Sequence, residues 1–186
     1  MKILIAVYLV AAAVLHPGLV RAADAAFKGG PGDLEKAVDA RASKLGSITP
    51  ASRPLSQIAK ILPRKGALVR VAFGDVGFIS RGGGKTSFVG HHLSAGVYDF
   101  VLVTFPADVE ITPHSSSIVV GSLAGTKEIT AANGSKVTVP VIAARVVGVI
   151  DGATLSGGVP TFAPNSPIHI YERAAGKAAA KATTHP

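Results

Sequence analysis

"SIVVGSLAGTKEITAANGSKVTVPVIAARVVGVI", residues 117–150, carries the decision about fold. Two β-branched runs, 117–123 and 127–131, precede "ANGS" (132–135), and a third, 136–150, follows it. Asn-Gly accepts the positive φ that a tight hairpin turn requires, so this stretch predicts strands joined by a hairpin. Working outward, the same texture recurs in "ALVRVAF" (67–73), "VGFIS" (76–80), "TSFVG" (86–90), "VYDFVLVTF" (97–105), "DVEIT" (108–112) and "PIHIYE" (167–172). Gly, Asn-Gly or Pro separates the runs. Many short strands with turns between them predict a mainly β protein, a sandwich or a barrel. No internal repeat is visible.

The chain ahead of residue 67 reads differently. Residues 1–22 have the layout of a secretory signal. Lys2 gives the positive start, residues 3–15 the apolar stretch, and Val20, Arg21 and Ala22 the cut. The apolar run is shorter than the ~20 residues a membrane span needs, and an uncleaved anchor is the other reading. Residues 23–66 form a helical segment and linker. "GDLEKAVDARASKLG" (32–46) predicts a helix capped by Asp33 and stopped by Gly46, with a thin stripe of Leu34, Val38 and Leu45. "PLSQIAKILP" (54–63) predicts a second, bounded by prolines. Isolated helices this short are marginal in water. The second is therefore expected to dock on the β domain, and the first to be loosely held. The β domain runs over 67–172, and an Ala- and Lys-rich basic tail over 173–186.

Composition narrows the function. The chain has 186 residues, enough for one ordinary domain. It has no cysteine, which excludes disulfides, thiol catalysis and Cys-ligated metals. Hydrophobic residues make up 48% and aromatics only 5%, so the core must be mostly aliphatic. The net charge of +8 falls to +6 once residues 1–22, with Lys2 and Arg21, are removed. An exported chain with few aromatics is a poor nucleic-acid partner. The charge serves solubility or a weak attraction to anionic envelope surfaces. The reading is a periplasmic or secreted protein with no transmembrane span in its mature chain.

"SRGGGKTS" (80–87) imitates a phosphate loop but has Ile79 where the first glycine belongs. A strand pattern follows it, so no helix N-terminus is available for phosphate. It reads as a hairpin tip. No G-x-S-x-G elbow occurs, and the acids are scattered. Histidine is the commonest metal ligand, and His91, His92, His114 and His169 fall in the β region. His91 and His92 are adjacent, so on a strand they point to opposite faces.

Two patterns stand out around these histidines. Gly158 is followed by five residues, then Pro164, Asn165, Ser166, Pro167, Ile168 and His169. Asp108 is followed by five residues, then His114, with Ser116 two positions on and Gly125 further along. Together they resemble the two motifs of the cupins, over roughly residues 68–172. The second motif departs only at Ser166, where cupins have glycine. The first is eroded. Asp108 replaces its glycine, Ser116 its second histidine, its glutamate is missing, and Gly125 comes two residues early.

The resemblance implies a jelly-roll barrel. The family's usual site is three histidines and a glutamate around iron, manganese, zinc or nickel. Carried over by position, only His114 and His169 remain as metal ligands. A third would have to come from His91, His92, Glu110 or Glu128. The resemblance thus implies either no cofactor or one divalent transition metal. The leading expectation is a non-catalytic or weakly metal-dependent binding barrel. Its ligand would be a small polar molecule, sugar-like or a carboxylic acid, met by His114, Ser116 and His169. The alternatives are a metal-dependent oxygenase or isomerase, and a structural or interaction protein of the cell envelope. Whether the chain is an enzyme stays open at this point. A homodimer through edge strands is compatible with such barrels.

Overall fold

The computed structural model describes residues 20–21, 27–50, 67–94, 97–131, 133–152, 154–156 and 159–173. The expected second helix, the signal's apolar run and most of the tail lie outside them. The protein is mainly β. In chain order the elements are β1 (Val20–Arg21), β2 (Phe27–Lys28), α1 (Pro31–Ala42) with a 3-10 turn (Ser43–Leu45), β3 (Ile48–Pro50), β4 (Leu68–Phe73) and β5 (Asp75–Gly82). There follow β6 (Lys85–Ser94), β7 (Val97–Phe105), β8 (Ser116–Thr130), β9 (Lys136–Ile150), β10 (Thr154–Ser156), β11 (Val159–Thr161) and β12 (Pro167–Arg173). No described helix is long and apolar enough to cross a membrane.

The β8–β9 hairpin is the spine, paired from Ser116↔Ile150 to Thr130↔Lys136. Its turn is the predicted one. Gly134 has φ +80, and the Asn133 Oδ1 accepts from the Ser135 backbone N–H at 3.0 Å. The two runs expected before the turn are one 15-residue strand. Gly125, at φ +104, lies within a register irregularity between Leu123 and Thr126, so the gap between the runs is a bulge.

β9 belongs to two layers. Its first half pairs parallel with β7, Leu102↔Val141 to Thr104↔Ala143. Its second half pairs antiparallel with β12, Ile168↔Ile150 to Glu172↔Val146. The change happens at Arg145. The register passes from Val120↔Val146 to Gly121↔Ala144, which leaves Arg145 as the extra residue of a bulge. β5, β6 and β7 form a meander whose first turn is Gly83-Gly84, with φ +60 and +67. This is the hairpin tip expected for "SRGGGKTS". β4 pairs with β8 and β5 with β6, yet only Gly74 separates β4 from β5. Counting them as one bent strand, the path runs first–second–third–fifth–fourth, with third and fifth parallel. Element by element the mixed sheet is an open path from β3 to β5, but because β4 pairs with β8, the path with β4–β5 counted as one strand returns from the fourth strand to the first. Its layers face one another as in a sandwich.

Phe73, Phe88, Phe105 and the valines of β4, β7, β8 and β9 fill the space between the layers. Gly90 lies under the Phe73 ring, where a Cβ would come within 2.4 Å of it. The outer face of the β8–β9–β12 layer carries α1. Leu34, Val38 and Ala42 are buried against Ile118, Val120, Val146, Ile150, Ile168 and Ile170. At Gly148 a Cβ would stand 2.4 Å from Val38, so only glycine lets the helix come so close.

The first helix is therefore firmly docked, against the expectation that it is loosely held. Its stripe is thin, but the sheet supplies the missing apolar surface, and burying one Leu or Val contributes roughly 1.5–3 kcal/mol. Arg70 adds ion pairs to Glu35 (2.6 Å) and Asp39 (2.9 Å). Asp33 is not the N-cap. Gly30 takes that place, and the Asp33 Oδ2 reaches back to accept its N–H at 3.0 Å.

"DVEIT" is not a strand either. Val109 and Ile111 are buried in the main core, but side chains serve the backbone there. The Thr86 Oγ1 accepts from the Val109 N–H and the Tyr171 hydroxyl from the Glu110 N–H. Arg81 donates to the Val109 and Ile111 carbonyls. With its polar groups so satisfied, the segment plugs the core without a neighbouring strand.

Candidate functional site

The plug ends at residues 112–115, between two aspartates. On one side is Asp75, the first residue of β5. Pairing Asp75↔His91 and His91↔Phe100 puts these three in a row across β5, β6 and β7, on one face of the meander. The Asp75 carboxylate takes two histidines at once. The His91 Nδ1 is 3.2 Å from its Oδ2, and the His114 Nδ1 is 3.0 Å from its Oδ1. His114 reaches this place because it adopts φ +67, with its backbone N–H donated to the Val76 carbonyl. The left-handed region costs a non-glycine residue some strain, less for His than for bulkier types. The His91 ring meets the Phe100 ring edge-on, centroids 4.9 Å apart.

On the other side is Asp151, just after β9. The buried Ser115 donates its hydroxyl to the Asp151 Oδ1 at 2.9 Å. The Ser115 Oγ also accepts from the Thr112 N–H at 3.2 Å. The His169 Nε2 lies 3.5 Å from the Asp151 Oδ2. The His169 ring stacks against Tyr171, whose hydroxyl holds the plug at Glu110. Burial pushes the Tyr171 phenol above its usual range, and its hydrogen bond to the Glu110 backbone opposes this in part.

The two histidines singled out by motif thus address different carboxylates. Ser116 joins neither, since its hydroxyl donates to the Phe73 carbonyl at 2.8 Å. The candidates for a third metal ligand are dispersed. His91 is on Asp75, and the buried His92 holds the Ala72 carbonyl through Nδ1 at 3.0 Å. Glu128 pairs with Lys136 at 2.9 Å. Among the described residues, no group of three or more His, Cys, Asp or Glu is placed to hold a metal ion. The donor set does not fit the metal centre that the cupin resemblance implies.

Asp75, His91 as its partner, and Phe100 were not singled out from sequence. The available signal was an acid between two glycines, "GDVG" (74–77), in a β-rich stretch. The exposures separate the two clusters. Asp75 and Asp151 side chains are each 25% exposed, but His91 and His114 are 32% and 57% exposed against 15% for His169. No family model matches the chain, and no curated protein or solved structure matches it either.

Proposed function

We propose that this is an exported, non-catalytic binding protein for a small polar ligand, met on the surface at Asp75, His91 and His114. One observation carries the reading. A single carboxylate gathers two imidazoles, His114 by a hydrogen bond to Nδ1 and His91 by a 3.2 Å contact, and both rings remain substantially exposed. Side chains locked in place by a shared partner lose less freedom when a ligand arrives, which is the advantage of a preorganised site. The interior offers no such place, because aromatic and aliphatic side chains fill it.

The cupin-like pattern enters this reading through His114 alone. For a metal-dependent oxygenase or isomerase, His114 and His169 would have to meet at one ion, but they address different carboxylates, and among the described residues no group of three or more donors is placed to hold a metal. Ser115, next to His114, is not aligned as a nucleophile, since it donates to Asp151 rather than to a histidine.

The test is saturation-transfer NMR with a library of sugars and small hydroxy and dicarboxylic acids on the mature protein. At least one compound should give a signal that Asp75→Ala abolishes and Asp151→Ala keeps. A library in which no compound distinguishes the two variants would reject the reading.

A further inference from the structure

The proposed site leaves two ligand classes open, and its hydrogen-bonding character separates them. We infer that the Asp75 face takes a neutral, polyhydroxylated ring compound, a sugar or short oligosaccharide, rather than an anion; this rests on the proposed function. The argument begins with protons. An ionised carboxylate only accepts, so the His114 Nδ1, hydrogen-bonded to the Asp75 Oδ1 at 3.0 Å, must be the donor there, while the His91 Nδ1 stands 3.2 Å from the other oxygen. In the neutral ring the His114 Nε2 is then an acceptor. The cluster presents Asp75 and this Nε2 as acceptors, and a ligand that brings donors fits them. Hydroxyl groups do so. A carboxylate or phosphate brings further acceptors and a negative charge beside Asp75.

The meander's own cations, Arg81 and Lys85, are committed or distant. Arg81, on the same strand as Asp75, spends its guanidinium on the carbonyls of Val109 and Ile111. Lys85 stands at the hairpin tip, about 20 Å along β6 from His91 at strand rise.

The apolar part of the face fits a sugar ring as well. The exposed aromatic rings among the described residues are Phe78 (61%) and Phe100 (44%), both in the β5–β6–β7 meander. Phe100 is next to His91. Phe78 stands in a β-bulge, where the register shifts between Gly77 and Ser80, at φ +49. For a bulky residue this conformation is strained, and such strain concentrates at functional sites. Beside Phe78, and two residues from Asp75, Gly77 has open space where a Cβ would project. The C–H faces of a pyranose can lie on aromatic rings while its hydroxyls reach the acceptors.

The test uses the mature protein at about pH 8. The probes are cellotriose and chitotriose as neutral oligosaccharides, and trigalacturonate and citrate as anions. Ring resonances of His91, His114 and Phe100 are followed by 1H–13C NMR. We expect a neutral trisaccharide to shift all three, and Phe100→Ala to weaken its binding about five- to tenfold, the size of one aromatic contact. Phe78→Ala should weaken it similarly without lowering the melting temperature. If the anions shift these rings and the neutral sugars do not, the sugar inference fails while the binding site stands. If no probe moves the rings, both fall.

Discussion

Asp75 and Asp151 are equally exposed carboxylates that grip the same end of the plug, Asp75 at His114 and Asp151 at Ser115. They do different work because of what surrounds them. The partners of Asp151 turn inward. Ser115 is buried, His169 is mostly covered by its stack on Tyr171, and Tyr171 reaches the Glu110 backbone. The partners of Asp75 turn outward, with His91 beside an exposed phenylalanine and His114 mostly in solvent. A His–Asp pair alone therefore does not mark a site. The burial of the remaining ring atoms decides whether the pair is a closed fastening or stays open to solvent.

The contrast can be broken by substitution. The largest effect belongs to Asp151→Ala, which takes the acceptor from a buried hydroxyl. We expect a loss of about 2 kcal/mol by urea unfolding, the range for a buried polar group left short of a partner, with ligand binding retained. Next comes Tyr171→Phe, which frees the Glu110 N–H and should cost about 1 kcal/mol. This variant also carries a pH signature. An unfolded tyrosine titrates near pH 10, and the folded phenol titrates above that. The unfolded state thus releases its proton first. The tyrosine's share of stability is present below about pH 10 and is lost as the pH rises through the folded value. Tyr171→Phe should flatten that alkaline fall.

Smaller still, Phe78→Gly removes a strained φ and should raise stability by about 0.5–1 kcal/mol while weakening binding. This is the opposite sign from an ordinary aromatic deletion. The smallest stability effect is expected for Asp75→Asn, within about 1 kcal/mol, as for partly exposed ion pairs. Its binding should nevertheless be lost. If Asp75→Asn costs as much stability as Asp151→Ala, the distinction between the two aspartates collapses.

Much of the β architecture was legible because β-branched runs and glycine turns act locally. The Gly83-Gly84 and Asn133-Gly134 turns stand where their φ requirements put them. The misreadings come from long-range terms. "DVEIT" looks like a strand, and only the reach of Thr86, Arg81 and Tyr171 makes it a plug. The thin stripe of α1 looks weak until Gly148 opens the sheet to Val38.

The site was half legible. His114 was in view, but its partners depend on register. Counting outward from Gly83-Gly84, without interruption, would set Asp75 opposite His92. The bulge around Phe78 shifts that by one residue and brings His91 opposite instead. A one-residue slip turns every side chain to the other face, so a bulge invisible in composition chose which histidine stands opposite Asp75. The pairing of His114 with His169 followed motif spacing, and spacing along the chain does not fix which carboxylate a histidine meets.

The central claim is that Asp75 locks the exposed His114 through Nδ1, with His91 beside it, and leaves the His114 Nε2 lone pair free. Long-range 1H–15N NMR of the protein at about pH 8 reads this directly. The account predicts that His114 is the Nδ1–H tautomer, and that Asp75→Asn releases it to a tautomer mixture. Finding the Nε2–H form at His114, or no change in the variant, would contradict it.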